Sequence, residues 1–231
     1  HKNSGLKVAA HLTCVNATRA ETLGIAESFA NSGVTDIVAL RGDPPKGDGK
    51  FTAHPEGFTS SVDLIEALKD TGRFAIRVGA YPEKHPEAAN QAADIDWLKR
   101  KLDAGADDAL TQFFFEADTF FRFRDACQRV GIDGDRLTPG ILPIENWKGV
   151  TRFAERCGTA VPVWLIDAFE KAERDGRQDL LATAICSELC SDLLEGGVNA
   201  LHFYTLNRPE LTRDVCHALG VVPRARLQNV A

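Results

Sequence analysis

Methionine is absent from all 231 residues, so the chain carries no initiator and residue 1 need not be the biological start. No apolar stretch approaches the roughly 20 residues of a membrane span, and the opening HKNSGLK lacks the apolar core of a secretory signal. A soluble cytoplasmic protein without a membrane partner is expected. Basic excess is missing too: with a net charge of −6 and acids and bases interspersed, a nucleic-acid groove is disfavoured.

The six cysteines, Cys14, Cys127, Cys157, Cys186, Cys190 and Cys216, show no CxxC spacing. Cys186 and Cys190 stand one helical turn apart, which burial explains better than bridging, so reduced core thiols are expected. No His/Cys/carboxylate set has metal-ligand spacing, and no Gly-x-Ser-x-Gly elbow occurs. Metal and nucleophile chemistry are not indicated. No GxGxxG follows an apolar run, which argues against a nucleotide-binding Rossmann sheet.

What is present is alternation. Apolar runs at Val8 to Val15, Asp36 to Arg41, Phe74 to Ala80, Ala109 to Phe115, Leu137 to Ile144 and Ala200 to Leu206 read as strands buried on both faces. Thr18 with Glu21 forms a capping box for a helix whose buried face is Leu23, Ile25, Ala26, Phe29 and Ala30, ended by Gly33. Further helices are expected from Ser60, from His85 to Asp103, through Phe120, Phe123, Cys127 and Val130, near Trp147 to Cys157, Val163 to Glu173 and Leu180 to Leu194, and from Asn207. With 44% hydrophobic and 26% charged residues the chain can bury a full core as one domain over residues 1–231. Six β/α units fit an α/β fold, either a doubly wound sheet or a (β/α)8 TIM barrel lacking two units, and the barrel is favoured.

In a barrel the site lies where the strands end. DIVALRGDPP delivers Arg41, Gly42 and Asp43 to one spot, and the two prolines stop the strand. An Asp-Pro turn is the ordinary explanation, weakened by the arginine and carboxylate flanking Gly42. AYPEKHPEA gathers an aromatic, a carboxylate and an imidazole within five residues around prolines that fix the backbone, so a rigid loop and a site carry equal weight. Gln112 lies in a strand among aromatics, where backbone or ligand must satisfy its amide, while Phe113, Phe114 and Phe115 read as core. Arg208 follows Asn207, a good N-cap, so its charge sits at a positive helix end that wants an anionic partner. Lys99, Arg100 and Lys101 fall in the last turns of their helix and read as a solvated face.

Taken together, AAHLTCVNAT, IVALRGDPP, AYPEKHPEA, LKRKLDAGAD, TQFFFEAD, PGILPI and HFYTLNR, in this order over nearly the whole chain, resemble the methylenetetrahydrofolate reductase family. That resemblance implies a TIM barrel that binds FAD and uses NAD(P)H to reduce 5,10-methylenetetrahydrofolate to 5-methyltetrahydrofolate, ping-pong through the flavin. By position it implies FAD contacts at His11, Arg41, Gly42, Asp43, Phe58, Thr59, Tyr81, His85, Ala88, Asp94, Trp97, Arg100 and Lys101, with the last two facing the pyrophosphate. Asp43 would lie at the flavin N1 and pyrimidine edge and also contact the folate. Gln112 would bind the pterin or the nicotinamide amide, Phe153 would stack on either, and Arg208 would hold the folate.

The resemblance also implies what departs from it. The general-acid glutamate of the family stands in an EFFPP-like first strand, which this chain does not contain, and the first two β/α units are expected to be missing with it. Phe58 stands where the family often has tyrosine and Trp97 where asparagine is usual. Family members are commonly homo-oligomeric. Two readings of other classes stay open: a flavin- and folate-binding remnant without turnover, and an unrelated lyase or aldolase barrel with similar exits.

Overall fold

A computed structural model describes residues 6–43 and 51–221 of the chain. Pro44 and Pro45 of the RGDPP string lie outside the described residues. Within them, strands and helices alternate from the start: β1 (Ala9–Thr13), α1 (Arg19–Asn31), β2 (Asp36–Leu40), α2 (Ser61–Asp70), β3 (Ala75–Ala80), α3 (Gln91–Asp103), β4 (Asp108–Phe113) and α4 (Ala117–Arg129). There follow β5 (Leu137–Ile141), α5 (Trp147–Cys157), α6 (Val163–Asp175), α7 (Gln178–Glu195), β6 (His202–Phe203) and α8 (Glu210–Ala218).

The six strands lie in one sheet in chain order, β1-β2-β3-β4-β5-β6. Pairing is parallel at β1–β2, with His11 opposite Val38, at β2–β3, with Asp36 opposite Ala75, and at β5–β6, with Gly140 opposite His202. Parallel neighbours cannot be joined by a tight turn, so each needs a crossover, and the intervening helices supply it. This is the α/β connectivity of a (β/α)8 barrel, with six β/α units described here.

The chain divides into two compact units, His1–Gly79 with Asp96–Ala109, and Ala80–Ile95 with Leu110–Ala225, apart from a short stretch at the C-terminus. In the first, β2 is buried along nearly its whole length through Ile37, Val38 and Ala39, and α2 lays Leu64, Ile65 and Leu68 into the core at helical spacing. Thr18 and Glu21 close the capping box as expected, and Ser60 caps α2 by accepting from Asp63 N. Asp36, only 2% exposed, is held by Arg77 from β3 and by Lys7 at 3.3 Å. In the second unit, Phe113, Phe114, Phe120 and Phe123 are fully buried, and Trp147 stacks on Phe169 with ring centroids 4.6 Å apart, joining α5 to α6.

Four expectations need correction. The buried face of α1 is Thr22 and Ala26, while Ile25 is 46% exposed. The third helix begins at Gln91, because Pro86 interrupts the run and the Asp94 carboxylate takes the His85 N–H at 2.8 Å. The last helix opens at Glu210, because Leu206 and Asn207 are left-handed, at φ 49° and 61°. Val130 is 38% exposed rather than core. The cysteines are free, with Cys14, Cys127, Cys186 and Cys190 buried and Cys157 and Cys216 half-buried. Burial pushes the Cys127 thiol up to about 12, so it is inert at neutral pH. No helix among the described residues is long and apolar enough to cross a membrane.

Candidate functional site

In the first unit the chain leaves β1 and β2 side by side. Cys14 donates to the Arg41 carbonyl from both its backbone N–H, at 3.3 Å, and its thiol, at 3.4 Å. Gly42 has φ +89°, and a Cβ there would lie 2.8 Å from Val15 Cγ1 and 3.0 Å from Thr13 Cβ. Glycine is needed twice over at this point, for the left-handed backbone and for the close approach. Around it, the Arg41 guanidinium lies 5.0 Å from the Phe51 ring centroid and Asp43 is exposed. His11, also exposed, projects from the β1 face opposite to that of Leu12.

Ahead of α2, Thr59 donates to the Asp63 carboxylate through its N–H at 3.1 Å and through its hydroxyl. Those bonds hold the Asp63 carboxyl below the usual carboxylate range, the hydroxyl bond most of all. The Phe58 ring is fully buried beneath the Arg19 guanidinium, 4.6 Å from its centroid. On α3, Trp97 is exposed with the Arg100 guanidinium 5.9 Å from its ring.

The reading of Lys99 to Lys101 as a solvated face fails at Lys101. Lys99 does pair with Asp103 at 3.0 Å, and Arg100 is exposed. Lys101, by contrast, is 9% exposed and donates through Nζ to the Gly79 carbonyl near the end of β3. A cation at that burial is kept where its donors are used.

The second unit holds an organised loop after β3. His85 N–H goes to Asp94 at 2.8 Å, Ala88 N–H to the His85 carbonyl at 2.9 Å, and Lys84 Nζ to the Ala88 carbonyl at 2.9 Å. Gln91 donates to the Pro82 carbonyl at 2.7 Å. The Tyr81 and His85 rings meet edge to face at 4.6 Å. His85 Nδ1 accepts from Glu87 N–H at 3.0 Å, which puts the proton of the neutral ring on Nε2. Glu83 reaches back to Ala160 N–H with both carboxylate oxygens at 3.1 Å, and burial pushes its carboxyl above the usual range.

Gln112, half-buried near the end of β4, accepts from the Phe113 N–H through Oε1 at 3.1 Å. Backbone thus satisfies the oxygen, while the amide NH2 donates to nothing among the described residues. Phe153 from α5 stacks on Phe113 at 5.3 Å. It also lines a cavity of about 420 Å³ with Glu145, Arg156, Tyr204 and Arg208. Arg208 is exposed, and its anionic partner among the described residues is Glu145 at 3.4 Å. The consecutive left-handed residues before it, Leu206 and Asn207, are a costly backbone that turns the chain sharply at the exit of β6.

Sequence reasoning missed Glu83 as an anchor, Tyr204, and Arg156. Glu83 lay in a string already singled out for its carboxylate. Tyr204 and Arg156 carried no local signal, since one acts across strands and the other reads as an ordinary cation in the last turn of a helix.

Parallel β/α units whose strand exits carry polar and aromatic groups define an α/β enzyme of the (β/α)-barrel class. The model of the family described as methylenetetrahydrofolate reductase matches residues 1–220. The 5,10-methylenetetrahydrofolate reductase of Salmonella typhimurium is 45% identical over 223 residues, covering 96% of this chain and 73% of that protein. That of Escherichia coli is 45% identical over 221 residues, covering 95% and 72%. Methylenetetrahydrofolate reductase (NADH) 1 of Arabidopsis thaliana is 34% identical over 232 residues, covering 95% of this chain and 39% of the plant protein. The chain belongs to the methylenetetrahydrofolate reductase family. It is an oxidoreductase whose reaction is the reduction of methylenetetrahydrofolate.

Proposed function

We propose that this chain reduces 5,10-methylenetetrahydrofolate to 5-methyltetrahydrofolate with FAD as its cofactor and NAD(P)H as the reductant, the two substrates using the same binding face in turn. FAD, when bound, supplies the two-electron carrier between them. The donor set suits that group. Arg100 is an exposed guanidinium of the kind that grips a diphosphate bidentately, and the Lys101 ammonium beside it in sequence is anchored on the Gly79 carbonyl.

Tyr81, His85 and Ala88 belong to a loop that its own hydrogen bonds and the Asp94 carboxylate in the first turn of α3 fix before any ligand arrives. His11, Arg41, Gly42, Phe58, Thr59 and Trp97 complete the proposed FAD contacts. Asp43 is the fixed negative charge, opposing build-up of further negative charge beside it. Phe153 offers a flat aromatic surface to either substrate, and Arg208 holds a folate carboxylate in competition with Glu145. Association into a homo-oligomer belongs to the same reading.

One observation carries the proposal: the Gln112 amide is held by its oxygen and has its NH2 unspent. A fixed, unsatisfied donor suits both a pterin acceptor and a nicotinamide carbonyl. Replacing Gln112 by Leu should therefore weaken both half-reactions by up to about tenfold each, the worth of one neutral hydrogen bond, in anaerobic stopped-flow. A Gln112→Leu enzyme with both half-reactions intact would remove the basis of the reading.

A further inference from the structure

The cavity in the second unit contains a cation to which the reading above gives no task. Arg156 lies in the last turn of α5, three residues after Phe153, with its guanidinium 5.6 Å from the Phe153 ring centroid. The α5 macrodipole accounts for a cation in that turn. It does not account for one that lies over an aromatic ring in the wall of a cavity of about 420 Å³. Arg156 is exposed, and no carboxylate pairs with it among the described residues.

The charge of the wall sharpens the point. Its charged groups are Glu145, Arg156 and Arg208, and Glu145 is already engaged by Arg208 at 3.4 Å. One positive charge is left over, and it belongs to Arg156. The apolar part of the wall is aromatic and aliphatic, from Phe153, Tyr204 and Val150. An aromatic wall beside a surplus guanidinium fits a ligand with an aryl group joined to carboxylates. Folates end in such a group: a p-aminobenzoyl ring amide-linked to glutamate, extended by further γ-linked glutamates that each add a carboxylate.

We propose that Arg156 binds the carboxylate tail of the folate and sets a preference for substrates whose tail is longer than one glutamate. This rests on the folate reading of the same cavity and adds to it a residue that governs tail length. Arg208 can satisfy one carboxylate only by sharing with Glu145, whereas Arg156 has no competing carboxylate among the described residues. Its exposure puts it within reach of carboxylates beyond the first.

The test compares wild type, Arg156→Gln and Arg156→Lys on 5,10-methylenetetrahydrofolate monoglutamate and triglutamate at low and high salt. Turnover of NAD(P)H with a quinone acceptor on each protein is the internal reference for folding and flavin loading. Relative to that reference, Arg156→Gln should raise KM for the triglutamate about fivefold at low salt, the worth of one exposed ion pair. The monoglutamate should be affected less, kcat little, and salt should shrink the difference. Arg156→Lys should keep most of the preference. An unchanged ratio of triglutamate to monoglutamate KM in Arg156→Gln overturns the proposal while leaving the flavin reading in place. Wild-type protein with no quinone turnover overturns both.

Discussion

The Tyr204 hydroxyl donates to the Thr111 carbonyl at 2.8 Å, one residue before Gln112. Between them runs Gly140, whose N–H donates to the Thr111 hydroxyl at 2.9 Å and where a Cβ would lie 2.1 Å from the Thr111 carbonyl oxygen. The backbone that presents Gln112 is thus fixed by a phenol reaching from the end of β6, past a residue that must have no side chain. Burial pushes the Tyr204 phenol up to about 12, so it remains a donor throughout the working pH range.

Removing that bond should be felt modestly and removing the space severely. Tyr204→Phe is expected to cost about 1 kcal/mol of stability, the net worth of one hydrogen bond, measured by urea unfolding. Gly140→Ala should cost about 3 kcal/mol or more, the upper range for overpacking, because the nearest atom is backbone and cannot rotate away.

Asp43→Asn separates the two half-reactions. If the Asp43 carboxylate contacts the folate as well as the flavin edge, its neutralisation slows methylenetetrahydrofolate reduction much more than NAD(P)H oxidation. Stopped-flow measurement of each half-reaction decides this, and equal slowing of both would refute the role.

Glu83 ties the loop after β3 to the connection between α5 and α6 through Ala160. Glu83→Ala should loosen FAD binding several-fold, as followed by fluorescence of released flavin. Glu83→Gln keeps an acceptor for Ala160 N–H and should restore most of the affinity. A charge-dependent role would instead leave both variants equally weak.

Acid stability has a named contributor in Asp36. Burial by itself would raise its carboxyl, but hydrogen bonds from Arg77, Thr35 and Lys7 outweigh it and hold it below the usual range. A depressed folded value means the stabilisation is full above the unfolded value of about 3.9 and is lost as pH falls through the folded one. Asp36→Asn should therefore cost about 3 kcal/mol at pH 7, where it removes the buried partner of Arg77 and leaves that guanidinium, among the described residues, only Asp108 at 4.0 Å. The gap from wild type should begin to narrow below about pH 4 and close only once pH falls below the depressed folded value, where wild-type Asp36 is protonated too.

How far the sequence could be read depended on how local each cause was. The strands of β2 and β3 showed as apolar runs, and Thr18, Glu21 and Ser60 marked helix starts because caps act within one turn. Asn207 looked like such a cap and was not, since two left-handed residues redirect the chain before α8. Lys101 looked solvated because helix position says nothing of a carbonyl 22 residues away in sequence. Arg41, Gly42 and Asp43 stood out at the end of an apolar run, but the left-handed backbone of Gly42 did not show, and the need for glycine at position 140 arises only when Thr111 and Tyr204 come together in space. Arg156 stayed invisible for the same reason.

Anaerobic titration of the FAD-loaded protein in a visible spectrometer tests the central claim most directly. NAD(P)H should bleach the oxidised flavin absorbance stoichiometrically, and methylenetetrahydrofolate added afterwards should restore it with formation of 5-methyltetrahydrofolate. A protein that takes up no FAD, or whose bleached flavin is not reoxidised by the folate, would contradict the account.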